Sequence, residues 1–235
     1  MTELSEINKY RPFKIWFISD THACHSQLTV PKNIDLVIHS GDESNYWDQH
    51  RNHSEYQDFK EWYFNLPIKH KVFVPGNHSS YIFHNEKEVR KDFKKLGIHF
   101  LNKDSVEIEG LKLYGDPTTP IFGNWWHMSK REKLFNRWQL IPEDTDILIT
   151  HGPPKRILDL SHNREGKLEY CGDQSLFNRV LEIKPKIHCF GHIHNSNGCY
   201  NQGERFYEGI NFINASCVTD GKMGEITSNG IIKEI

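Results

Sequence analysis

The sequence predicts an α/β fold with largely parallel strand pairing, on three observations. Five short runs rich in branched and aromatic residues read as strands buried on both faces. Helical patterns lie between some of them, and such alternation marks α/β architecture. Each run is followed at once by a small polar cluster of Asp, Asn or His. Ligands in open α/β sheets sit there, beyond the carboxyl ends of the strands.

The first strand is FKIWFIS, Phe13 to Ser19. IDLVIHS (Ile34 to Ser40), KVFVP (Lys71 to Pro75), DILIT (Asp146 to Thr150) and KIHCF (Lys186 to Phe190) follow the same pattern. SVEIEGLKLYG reads as a hairpin turning at Glu109 and Gly110. Among the helices, Ser54 and Gln57 form a capping-box pair opening EYQDFKEWYFN. NEKEVRKDFKKL stops before Gly97. Ser129 and Glu132 open REKLFNRWQL, which ends at Pro142. Asp173 caps QSLFNRVLEIK, with Leu176, Phe177, Val180 and Leu181 on one face and Pro185 just beyond. From about Tyr200 onward there are short strand-like pieces and no clear helix.

A length of 235 residues supports one substantial core. No Pro/Gly/Ser-rich linker divides the chain, so a single domain over 1–235 is expected, with its motifs within about 13–215. Hydrophobic content of 37% and charged content of 26% argue against disorder. No apolar run approaches the roughly 18 residues of a membrane helix. The polar start, MTELSEINKYRPFK, lacks the apolar stretch of a signal peptide, and a cytoplasmic protein is expected. The five cysteines are an odd number without a C-x-x-C pair, which argues against a disulfide framework and a Cys-type zinc site. A formal net charge of -2 is not that of a general nucleic-acid binder. The 15 histidines are the conspicuous feature. Histidine is the commonest metal ligand and carries protons near neutrality.

The five polar clusters are SDTH (Asp20, His22), SGDES (Asp42), PGNHS (Asn77, His78), THGPP (His151) and FGHIHNSNG (His192, His194). Asp, His and an Asn amide oxygen make a mixed N/O donor set. Such a set suits Mn, Fe or Zn better than Ca or Cu(I). Residues at i and i+2 of an extended chain point the same way, so Asp20 and His22 can reach one ion, and His192 and His194 can serve two. Glycines 41, 76, 152 and 191 permit tight turns beside these groups.

The ordered set D-x-H, G-D, G-N-H, H-G, G-H-x-H resembles the calcineurin-like metallophosphoesterase superfamily. Within it, LITHGPPKRILDL followed by VLEIKPKIHCFGHIHNSNG is similar to the metallophosphoesterase-domain-containing (MPPED-like) phosphodiesterases. The resemblance implies a sandwich of two facing mixed β-sheets flanked by α-helices. It implies two divalent metal ions at the strand ends, Mn2+ first, with Fe, Zn, Ni or Co as other occupants. Asp20, His22 and His194 would hold one ion, Asn77, His151 and His192 the other, and Asp42 would bridge them. Asn77 and His78 would face the substrate, His78 as the proton donor and not a ligand.

The function implied is hydrolysis of small phosphodiesters, such as 2′,3′- or 3′,5′-cyclic nucleotides, by a hydroxide held between the ions. Protein Ser/Thr phosphatases follow their G-D with D-R-G; here ESNYW follows Asp42, which argues against that role. A nuclease or phosphomonoesterase with the same metals is an alternative, as is a non-catalytic nucleotide-binding module. The partner expected is a small phosphodiester or nucleotide, with no membrane. Nucleic acid is not favoured, and a homodimer stays open.

Other conspicuous residues have plainer readings. His39 and His188 lie inside strand runs and are expected to pack there. Trp126, in FGNWW, is either a platform for a base or a hydrophobic plug; the plug is preferred, with Trp126 kept as a tentative substrate contact. Asp116 reads as a turn former.

Overall fold

Alternate residues of the first strand serve two different cores, and this division organises the molecule. The computed structural model describes residues 11–163, 165–221 and 224–235; most of the polar start lies outside them. In strand β1 (Lys14–Ile18), Ile15 and Phe17 face one core while Trp16 and Ile18 face another. Strands β2 (Leu36–His39) and β3 (His70–Phe73) repeat the division, with Leu36, Ile38 and Val72 on one side and Val37 and Phe73 on the other. Burial on both faces is why these segments read as unbroken apolar runs.

Between and beyond these strands come α1 (Gln49–Asn65), α2 (Ser80–Lys95), β4 (Ile98–Phe100), β5 (Asp104–Ile108), β6 (Leu111–Asp116), β7 (Thr119–Pro120), β8 (Met128–Ser129) and α3 (Arg131–Trp138). The second half holds β9 (Ile147–Thr150), β10 (Leu160–His162), β11 (Leu168–Tyr170), α4 (Gln174–Ile183), β12 (Ile187–Phe190), β13 (Gly203–Tyr207), β14 (Ile210–Asn214) and β15 (Ile231–Glu234).

One sheet has the order β15-β1-β2-β3-β4, parallel except for β15. The other has the order β13-β14-β12-β9-β6-β5, parallel except for β13 and β5. Between the sheets, Ile15, Phe17, Ile38 and Val72 pack with Leu113, Ile149, Cys189 and Ile213. Tyr56, Phe59 and Tyr63 of α1, with Ile82, Val89 and Phe93 of α2, cover the outer face of the first sheet. Leu134 and Trp138 of α3, with Leu176 and Val180 of α4, cover the second. The mixed-sheet sandwich flanked by helices is therefore the architecture of the chain.

Several local expectations hold. The hairpin turns at Glu109 and Gly110, both with positive φ. Asp173 caps α4 by accepting from Leu176 N at 2.9 Å, and its Oδ1 also takes the Trp138 indole N–H at 2.9 Å, tying α3 to α4.

Three helix starts differ. Helix α1 begins at Gln49 under the Asp48 carboxylate, which accepts from Arg51 N at 3.0 Å. Ser54 lies inside it, its hydroxyl donating back to the His50 carbonyl. The Ser129 cap is overturned because Ser129 is held in the β7–β8 ladder, with Ile121 N on its carbonyl at 3.1 Å, and α3 begins after Lys130. Helix α2 starts at Ser80 and is bent at Asn85, where the sequence pattern had placed its beginning. Strand β4 and the short pairs β7–β8 and β10–β11 were not anticipated. Among the described residues, no helix is long and apolar enough to cross a membrane.

Candidate metal centre

The segments that follow β1, β2, β3, β9 and β12 meet at one edge of the sandwich. Backbone bonds lock them together: Asp20 N donates to Gly41 O at 2.8 Å, His22 N to Asp42 O at 3.0 Å, and Gly191 N to His151 O at 2.9 Å. Three sets of side chains with metal-binding atoms result: Asp20, His22 and His194; His22, Asp42 and His78; and Asp42, His151 and His192. Within each set those atoms lie within 4.8 Å of one another. The structure thus brings Asp20, His22, Asp42, His78, His151, His192 and His194 together. Asn77 joins them, its Oδ1 2.9 Å from His151 Nε2.

The backbone at these positions is unusual. Asp20 (φ 50°), His22 (41°), Asp42 (56°) and His192 (69°) all adopt left-handed conformations. Such conformations cost on the order of 1–3 kcal/mol each outside glycine and cluster at functional sites. Asp20 and His22 therefore converge through two tight turns, not through the same-side alternation of an extended chain. Gly191 is required by close approach, since a Cβ there would overlap the Asp20 carboxylate and the Ser19 side chain.

Each carboxylate is oriented. The Asp20 oxygens accept from His192 N at 3.1 and 3.0 Å, and Oδ2 also takes the Ser216 hydroxyl at 2.8 Å. Asp42 Oδ1 accepts from His78 N at 2.7 Å. Asp42 Oδ2 stands between two rings, 3.3 Å from His151 Nε2 and 3.9 Å from His22 Nε2.

Four histidines share one arrangement. The Nδ1 atoms of His22, His78 and His151 lie 3.2, 3.0 and 2.9 Å from the carbonyls of Ser44, Asn45 and Ser40. His194 Nδ1 lies 2.8 Å from Asp220 Oδ1. An Nδ1–H directed at an acceptor fixes the tautomer and turns the Nε2 lone pair outward, as in metal-ligating histidines. Those outward atoms crowd: His22 Nε2 and His194 Nε2 are 3.4 Å apart, and His194 Nε2 is 3.1 Å from Asp20 Oδ1. Buried lone pairs and carboxylates facing one another call for a cation, so the residues present fit a metal centre.

The acid–base properties follow the same logic. Burial opposes charge on both carboxylates, yet neighbouring histidines hold Asp20 and Asp42 below the usual range. Burial likewise opposes protonation of His151 and His194. The adjacent carboxylates overcome it, raising His151 to about 9 and His194 to about 10. Burial dominates at His22, lowered to about 4, and at His192, lowered to about 3. Ring protons at His151 and His194 thus balance charge that a bound cation would balance instead.

Further neighbours complete the site, two of them absent from the sequence reading. Ser216 and Asp220 lie in the final third, and no spacing marks them. Trp125 packs against His78 with ring centres 4.1 Å apart, and Phe122 lies 4.9 Å from His192. Trp126 sits behind Trp125, its indole N–H donating to His84 Nε2 at 3.1 Å. His39 and His188 are packing residues as expected, fully buried and bonded to Thr21 and Thr150 hydroxyls. Asp116 is more than a turn former: it is buried and holds the Arg137 guanidinium through three contacts of 2.7–3.0 Å.

Comparison with known proteins agrees with this geometry. The sequence profile described as calcineurin-like phosphoesterase matches residues 13–196. The human protein named metallophosphoesterase domain-containing protein 1 is 30% identical over 228 residues, covering 86% of this chain and 65% of its own length. This chain therefore spans under two thirds of that relative. The Caenorhabditis elegans UPF0046 protein K07C11.7 is 32% identical over 220 residues, covering 88% of this chain and 71% of its own. The solved structure of phosphopantetheinyl hydrolase from Mycobacterium tuberculosis shares the fold, with a TM-score of 0.58 at 14% identity over 95% of this chain and 96% of that one. The matched span, residues 13–196, contains every residue of the donor cluster. The chain belongs to the calcineurin-like phosphoesterase family.

Proposed function

We propose that the protein is a dinuclear-metal-dependent phosphodiesterase acting on small diesters such as cyclic nucleotides. One observation carries the dinuclear part: Asp42 Oδ2 lies between His22, assigned to one ion, and His151, assigned to the other, 3.9 and 3.3 Å from their Nε2 atoms. Asp20, His22 and His194 would hold one ion, and Asn77, His151 and His192 the other. Mn2+ is the first choice, with Fe, Zn, Ni or Co able to use the same donors. When bound, such a pair clamps a phosphate, offsets its charge and brings the pKa of a water to about 7.

The chain's own residues supply the rest. Ser216 and the His192 amide keep the Asp20 carboxylate aimed. The His78 amide does the same for Asp42. His78 would carry a proton on Nε2 while its Nδ1–H is held by the Asn45 carbonyl. From there it can protonate the departing alkoxide, a step worth roughly 10²–10⁴-fold. A diester has the poor leaving group that makes an acid useful. The family resemblance to MPPED-like proteins supports the diester class. A reducing, cytoplasmic setting is part of the reading and is supported by the five free cysteines.

The test is turnover by protein reconstituted with Mn, Ni or Co, on bis-p-nitrophenyl phosphate and on 2′,3′- and 3′,5′-cyclic nucleotides. Metal-dependent diester cleavage is expected. Activity confined to p-nitrophenyl phosphate would move the reading to a phosphomonoesterase, and no turnover with any of the metals would end it.

A further inference from the structure

Two loops meet over His78 and carry an aromatic wall. The Asn45–Trp47 segment follows β2, and residues 121–126 join β7 to β8. The Asn45 carbonyl engages His78 Nδ1, the Trp47 indole N–H donates to Asn124 O at 3.3 Å, and Trp126 N donates to Asn77 O at 3.2 Å. The wall runs from Phe122, against His192, to Trp125, against His78, then through Trp126 to Trp47, with successive Trp ring centres 6.2 and 6.1 Å apart.

A hydrophobic plug would be buried. Here Phe122, against His192, is 48% exposed, and Trp47, at the far end of the wall, is 62% exposed. Exposed large apolar surface next to a polar cluster is the informative case. The indole N–H groups of Trp47 and Trp126 are both taken by the protein. These two indoles therefore offer ring faces and no donors.

We propose that this wall is the subsite for a planar ring carried by the substrate, holding it by stacking without choosing among bases. Phe122 and Trp47 are the specificity-determining residues. The proposal relies on the phosphodiesterase reading only to place a phosphate at the metal centre. Stacking one base on an aromatic side chain corresponds to roughly 5- to 100-fold in affinity.

The test is calorimetric titration of Mn2+-loaded protein with AMP, GMP and ribose 5-phosphate, which needs no turnover. AMP is expected to bind about tenfold or more tighter than ribose 5-phosphate, with GMP within about threefold of AMP. Phe122→Ala and Trp47→Ala should each shrink the AMP advantage about fivefold, while Phe122→Tyr keeps it. Equal affinities, no binding of either phosphate, or an advantage that survives both alanine changes would overturn the subsite. So would a tenfold or larger preference between the bases. Diester turnover on the same samples reports separately on the hydrolase reading.

Discussion

His194 Nδ1 and Asp220 Oδ1 lie 2.8 Å apart, and this contact turns His194 Nε2 toward Asp20, 3.1 Å away. An exposed carboxylate thus orients a donor of the candidate metal centre from outside it. Partners of this kind affect metal affinity by about 10- to 100-fold. Asp220→Asn is expected to weaken Mn2+ binding by that order, read by competition with a fluorescent chelator, and to regain turnover at high metal. Unchanged affinity would mean that the contact has no orienting role.

Metal binding at the proposed centre would displace protons. His151 is raised to about 9 and His194 to about 10 by facing carboxylates. Their protonation stabilises the ion-free fold fully below the ordinary histidine pKa of about 6.5. That contribution fades as pH rises through 9 and 10. At pH 7.5 the two rings should release about two protons on loading, and Mn2+ affinity should climb with pH up to that range. Calorimetry in buffers of different ionisation enthalpy counts the protons; a count near zero would contradict the assignment.

Glu43 titrates in the same sense for stability, over a lower pH range. It is fully buried, and its carboxylate accepts from Ser44 at 3.0 Å and Ser79 at 2.6 Å. Burial outweighs those bonds and raises it to about 7 from 4.5. The unfolded chain loses this proton first, so stability falls as pH rises from about 4.5 to 7, by at most on the order of 3 kcal/mol. Urea denaturation in chelator should show wild type losing ground against Glu43→Gln between pH 5 and 8. Parallel curves would sink this account.

Gly191→Ala is expected to cost about 1–3 kcal/mol or more by overpacking and to impair metal binding, because the added methyl meets Asp20 and Ser19. Thermal unfolding with and without Mn2+ separates the two effects. A variant with native stability and metal content would show that the turn relaxes freely.

The five strands that place the site were legible because burial on both faces leaves an unbroken apolar run. The helix starts were less so: Ser54 and Gln57 match a capping box, but Asp48 caps the backbone a turn and a half earlier. Left-handed conformations at Asp20, His22, Asp42 and His192 fall on residue types that adopt them more readily than most, but type alone does not say which Asp or His will do so, since the loops around them impose those conformations. Ser216 reaches the centre through the pairing of Ser19 with Ser216, and Asp220 through that of Asn195 with Thr219, contacts that no local pattern encodes. The pair of tryptophans was visible as a feature, yet only packing distinguishes Trp125, against His78, from Trp126 behind it.

The most direct measurement is metal stoichiometry together with the electron paramagnetic resonance spectrum of protein saturated with Mn2+. Two ions per chain with an exchange-coupled signal are expected, and Asp42→Asn should lose the coupling. A single uncoupled Mn2+ per chain in the wild-type protein at saturation would contradict a shared Asp42 carboxylate.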